Sequence, residues 1–102
     1  MASGSGAWVL QQSLVAIAIL EFQETPNPNA VKCITDRVLA VKPRSYFTPA
    51  SAQADPLARR LFEIPGVTHL LFVNEWLTVS KSLGAPWKDI KPAVRRALML
   101  EE

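Results

Sequence analysis

The sequence predicts an α+β domain of two layers, an antiparallel or mixed sheet carrying two helices on one face, in the order ββ(β)αββα. Three observations carry this expectation. Short apolar runs compatible with strand alternation recur at Leu14–Leu20, Ala30–Thr35, Val67–Val73 and Trp76–Lys81. Two other segments, beginning at Asp55 and near Asp89, space their apolar residues as amphipathic helices do. Finally, 102 residues with 49% apolar and 20% charged content suit one ordered core rather than a disordered chain.

Residues 1–13 are expected to form a flexible lead, opening with the small-residue run MASGSG, and residues 14–102 a single domain. The apolar run Leu14–Leu20 is far shorter than the roughly 20 residues that span a bilayer. No Lys or Arg precedes it, as a secretory signal would require, so it reads as the first strand. Its two faces would be Ile17 and Ile19 against Ala16, Ala18 and Leu20. With no export or membrane signal, the expected location is the cytoplasm of a bacterium or, in a eukaryote, an organelle matrix.

The next segment, ETPNPN, is a stiff connector. Pro26 and Pro28 fix their own φ and hold Thr25 and Asn27 extended, while Asn27 and Asn29 suit Asx-turns. It leads into a second strand, Ala30–Thr35. Val38, Leu39 and Val41 point to a third, short strand, after which Pro43 and Pro49 punctuate a loop holding Tyr46 and Phe47.

Asp55-Pro56 is a helix start, with Asp as N-cap and Pro at the first helical position. The helix should run to about Ile64 and stop before Pro65-Gly66. Leu57, Ala58, Leu61, Phe62 and Ile64 form its apolar arc, and Arg59, Arg60 and Glu63 its wet one. Val67–Val73 and Trp76–Lys81 form a hairpin across Asn74-Glu75, a pair that departs from the preferred Asn-Gly and leaves room for a longer turn. Trp87, Ile90, Val94, Ala97 and Leu98 recur at helical spacing. Beginning the regular helix near Asp89 would put Pro92 in the first turn, where its missing N–H costs nothing.

Charge and residue counts exclude several functions. Eleven Lys and Arg against nine Asp and Glu leave a net charge of +2, too little for a nucleic-acid field. One Cys and one His, Cys33 and His69, exclude an intrachain disulfide and a metal cage built of thiolates or imidazoles. They also leave too few groups for a nucleophile–base pair, so no enzyme is expected. Cys33 reads as a small apolar filler in a strand, and His69 as a solvent-facing or packed residue. Trp76 and Trp87 read as core or rim.

Four segments then line up: ETPNPNAVK (24–32), DPLARRLFEIPGV (55–67), WLTVSK (76–81) and PWKDIKPAV (86–94). In order and spacing they resemble the N-terminal domain of the Nfu/NifU-type iron–sulfur scaffold family, over roughly residues 17–100; residues 36–54 depart from its pattern. The resemblance implies the fold and an association with cluster assembly. In relatives of full length the cluster sits on a C-x-x-C pair in a second domain, and this sequence, read as a stand-alone domain, has no such pair. No cofactor is therefore expected on this chain alone.

The expected function is docking, with iron–sulfur assembly or acceptor proteins as partners, no nucleic acid or membrane, and a monomeric chain. The alternative is a small-ligand or peptide-binding domain of the same fold, unrelated to cluster assembly. Two surfaces are candidates. Pro26, Asn27, Pro28 and Asn29 form a connector of preset shape. Lys88, Lys91 and Arg95, at i, i+3 and i+7, form a basic stripe able to steer an acidic partner.

Overall fold

A computed structural model of the protein describes residues 17–99. Five strands form one sheet in the order β1-β2-β5-β4-β3, every neighbouring pair antiparallel. The strands are β1 (Ile19–Glu24), β2 (Ala30–Thr35), β3 (Ala40–Tyr46), β4 (Val67–Asn74) and β5 (Trp76–Lys81). A 3₁₀ turn at Ala50–Ala52 leads to α1 (Pro56–Phe62), and α2 (Trp87–Met99) follows the last strand. The expected lead at residues 1–13 and the strand start at Leu14 lie outside the described residues.

Alternation assigns the core. Val31, Cys33 and Thr35 of β2, Leu77 and Val79 of β5, and Leu70 and Phe72 of β4 are buried. All of them except the polar Thr35 meet Ala58 and Leu61 of α1 and Ile90, Val94, Ala97 and Leu98 of α2 in one cluster. Full burial of side chains such as Leu61, Leu77 and Phe72 contributes about 1.5–3 kcal/mol each. The opposite sheet face, with Lys32, Trp76, Thr78 and His69, has no covering layer among the described residues.

The helix start at Asp55 forms as its residues require. Asp55 Oδ1 accepts the Ala58 amide at 3.2 Å, and Pro56 opens the helix. The other carboxylate oxygen accepts the Tyr46 hydroxyl at 2.7 Å and lies 3.4 Å from the Arg44 guanidinium. Gly66, just after the helix, has φ +97°, and a Cβ there would meet Ala85 Cβ at 2.8 Å. The hairpin turn is tight: Val73 pairs with Trp76, and Asn74 takes φ 47°, which asparagine tolerates.

Four expectations need correction. Within the described residues the first strand begins at Ile19: Ile17 and Ala18 precede it outside the sheet, and Ile17 donates its amide to Leu98 O at 2.8 Å and packs on the core, anchoring the strand's entry. The strand instead runs on through Glu21–Glu24 because β2 pairs with those residues. β3 extends through Pro43 to Tyr46, where a loop was expected. It is an edge strand whose register breaks between Ala40 and Arg44, so Pro43 withholds no ladder hydrogen bond that the sheet needs. The Asp55 helix stops at Phe62, Ile64 turning back through its amide to Leu61 O at 3.1 Å.

The closing helix begins at Trp87 rather than Asp89, and Pro92 sits inside it. Asp89 and Ile90 both donate to Pro86 O at 3.2 Å, so the first turn is already closed before Pro92. The interior proline, which costs about 3 kcal/mol in an isolated helix, is offset by burying Ile90, Val94, Ala97 and Leu98. Pro92 itself is on the exposed side, as is Lys88, whose carbonyl loses the partner.

Candidate functional site

The fold brings the connector and α2 together. Residues Glu24–Pro28, Ala30 and Val31 from the β1–β2 connection and Trp87 and Lys91 from α2 line one cleft of about 250 Å³. Trp87 and Lys91, four apart on the helix, share the face that looks toward it. Of the residues singled out in the sequence, Pro26, Asn27, Pro28 and Lys91 meet here. Asn29, Lys88 and Arg95 do not line the cleft.

The connector is held by its own side chains and by two distant ones. Thr25 Oγ1 donates to Asn27 O at 2.8 Å and accepts the Asn27 amide at 3.1 Å. Asn27 Oδ1 accepts the Asn29 amide at 2.9 Å, the Asx-turn its sequence position suits. Asn29 closes no such turn: its Oδ1 accepts Lys81 Nζ at 3.0 Å, because β5 runs alongside and brings that ammonium within reach. The Trp87 indole donates from Nε1 to Pro28 O at 3.0 Å, and Lys81 Nζ lies 5.4 Å from the Trp87 ring centre. Two prolines, two side-chain turns and two long-range donors thus fix the shape before anything binds.

The basic stripe is less loose than helical spacing alone suggests. Lys91 Nζ lies 5.5 Å from the Phe22 ring centre and 6.0 Å from that of Trp87. The Arg95 guanidinium stands 5.1 Å from the same Phe22 ring and donates to Ile19 O at 3.3 Å. Lys88 is exposed, and its side chain has no partner among the described residues. None of the three cations forms an ion pair with a described carboxylate. The flank of α2 beside β1 thus carries positive charge that no described carboxylate pairs.

Phe22, Lys81 and Trp87 were not legible as parts of this site. The i, i+4 spacing of Trp87 and Lys91 was a usable signal; nothing local marks Phe22 or Lys81. Beneath the flank, Cys33 is fully buried. Desolvation pushes its thiol from an ordinary 9.0 up to about 12, outweighing the opposing pull of Lys91 and Arg95. Cys33 is thus inert packing, facing the helices. His69 is exposed on the other sheet face, its Nδ1 2.9 Å from Thr68 Oγ1 and its ring against Phe47. Among the described residues no three His, Cys, Asp or Glu side chains are placed to share a metal ion.

The fold and site define a two-layer α+β domain with a cleft, held by its own side chains, beside a cationic helix flank. The chain belongs to the Nfu/NifU scaffold family: the model described as "Scaffold protein Nfu/NifU N terminal" matches residues 20–101. It is 37% identical over 87 residues to the human protein named "NFU1 iron-sulfur cluster scaffold homolog, mitochondrial", covering 83% of this chain and 34% of that one. The protein of the same name from Drosophila erecta is 35% identical over 82 residues, 78% of this chain and 29% of that one. The chain thus spans about a third of the length of these curated relatives.

Solved structures agree on the fold. The solution structure of a NifU-like protein from Saccharomyces cerevisiae superposes with a TM-score of 0.66 at 26% identity, covering 83% of this chain and 76% of that one. The crystal structure of the Staphylococcus aureus protein SAV1430 gives 0.68 at 22% identity, with 78% and 96% covered.

Proposed function

We propose that this chain is a non-catalytic docking module of iron–sulfur cluster assembly, engaging assembly or acceptor proteins without holding a cluster itself. The observation that carries the reading is the family match over residues 20–101, beside relatives named as cluster scaffolds. The prearranged connector and the unpaired cations of α2 supply the means, since a fixed surface loses little entropy on binding and a charged one steers encounter. The mitochondrial relatives support an organelle matrix as its setting in a eukaryote, and the cytoplasm is the counterpart in a bacterium. No described helix is long and apolar enough to cross a membrane. We take the working state to be a monomer, with neither nucleic acid nor membrane as partner.

A second reading, a binding domain unconnected with cluster assembly, draws on the cleft itself. At about 250 Å³ the cleft falls below the roughly 300–1,000 Å³ of ordinary small-molecule sites, so a peptide side chain suits it better. Capture from an extract of the native cell on the tagged full chain separates the two readings. Proteins of cluster assembly, or cluster-bearing acceptors with iron and acid-labile sulfide, should be enriched over a Lys88→Glu/Lys91→Glu bait. Recovery of unrelated proteins alone, free of iron and sulfide, would overturn the first reading in favour of the second.

A further inference from the structure

The two edges of the sheet are finished differently. β3 carries Pro43 and the cations Lys42 and Arg44, devices that block pairing with another strand and that β1 lacks, although the register breaks in both edges. β1, the opposite edge, has no proline, lysine or arginine between Ile19 and Glu24. Its register breaks around Leu20, whose side chain is 65% exposed and available for an apolar contact. Among the described residues no strand lies beside it. An edge of this kind is a template for strand addition.

α2 overhangs that edge. Lys91 and Arg95 both stand over Phe22, a core-side residue of β1, and Arg95 also reaches Ile19 O. Lys88 continues the flank one turn earlier. A strand laid against β1 sends alternate side chains to opposite faces. One set would lie under these cations, and the other beside Glu21 and Gln23, which share the open face with Ile34 and Lys32 through their pairing. The cleft at Pro26–Pro28 lies just past Glu24, at the end of the same edge.

We infer that the β1 edge receives an extended, acidic segment of a partner protein, which adds a strand to the sheet and sets its acidic side chains beneath Lys88, Lys91 and Arg95. The inference rests on the docking reading and deepens it by naming the chemistry of the partner. Charge decides among occupants. A second copy paired antiparallel at this edge would bring two cationic flanks together. Residues 1–16 of the chain contain no Asp or Glu and offer those cations no counterpart.

The test uses the full chain and synthetic peptides of about eight residues, the length of an ordinary strand. One alternates aspartate with valine, one alternates lysine with valine, and one is the aspartate peptide N-methylated at every residue. Fluorescence anisotropy should show saturable binding of the first alone. The affinity should fall about tenfold or more with N-methylation, and as much in a Lys88→Glu/Lys91→Glu protein. Hydrogen exchange at outward β1 amides should be fast in the free chain and slow in the complex.

Equal binding of the N-methylated peptide would overturn strand addition, and preference for the lysine peptide would overturn the acidic partner. Absence of saturable binding at millimolar aspartate peptide would overturn both. Protection of the β1 amides in the free chain would overturn the inference too: independent of concentration it assigns the edge to residues 1–16, and rising with concentration to a second copy. Failure here alongside capture of cluster proteins leaves the proposed function standing; peptide binding without such capture removes the pathway and keeps the edge.

Discussion

The indole of Trp87 donates to the carbonyl of Pro28 at 3.0 Å, tying the first turn of α2 to the connector across 59 residues of sequence. This bond joins the two surfaces that the sequence presented separately. Trp87→Phe keeps a ring over the cleft and removes the donor. It should lower stability by about 0.5–1 kcal/mol, the lower part of the range because the site is partly wet. Amide exchange at residues 25–30 should quicken more than elsewhere, a local effect that uniform destabilisation would not produce.

Leu61 and Arg60 are neighbours on α1 with different roles. Leu61 is fully buried, and Leu61→Ala should cost about 2–5 kcal/mol in urea denaturation. The wheel put Arg60 on the wet arc, where truncation would be nearly neutral. In the fold it is half-buried and donates to Ala97 O at 2.9 Å, bridging α1 to the last turn of α2. Arg60→Ala should therefore cost about 1 kcal/mol, and coincident midpoints for Arg60→Ala and the parent would dismiss the bridge.

Alkaline stability should report on Cys33 and Tyr46 together. Burial raises the Cys33 thiol from 9.0 to about 12, and burial, reinforced by the Asp55 carboxylate, raises the Tyr46 phenol. In each case the unfolded chain releases its proton at lower pH than the folded one. Stability is thus full below pH 9.0 and falls as pH rises from there toward about 12. Cys33→Ala should flatten the decline between those values while lowering stability at neutral pH through the cavity it leaves. An unchanged slope in that variant would remove the thiol from the account.

Iron–sulfur clusters of the common types are held by about four thiolates, and this chain has one, enclosed by the sheet and α2. Anaerobic reconstitution followed by desalting should leave no visible absorption band. A stable band with stoichiometric iron and sulfide would show that the chain carries a cluster itself.

Charge reversal along α2 should divide by position. Lys88 touches no described partner, so Lys88→Glu should change the unfolding free energy by less than about 0.5 kcal/mol, while slowing association with an acidic partner. Arg95→Glu also loses the Phe22 stacking and the bond to Ile19 O, so it should cost about 1 kcal/mol of stability. Stopped-flow association over a salt series checks the first; denaturation checks the second.

Local chemistry decided much of this protein by itself. Asp55-Pro56 caps α1 because a carboxylate and a fixed φ are sufficient to start a helix, whatever lies around it. The alternation in Ala30–Thr35, Val67–Val73 and Trp76–Lys81 gave strands and their buried faces, since one side of a pleated strand must leave water. The Asn27 turn was equally local. Tertiary structure decided the rest. Pro43 stands in a strand only because that strand is an edge, and Pro92 in a helix only because four neighbours are buried there. Phe22 meets Lys91 and Arg95, Asn29 meets Lys81, and Arg60 meets Ala97, through chain crossings that no short window contains. Propensity and capping act within a few residues, whereas the cleft and the cationic edge are made where segments far apart in sequence are packed together by a shared core.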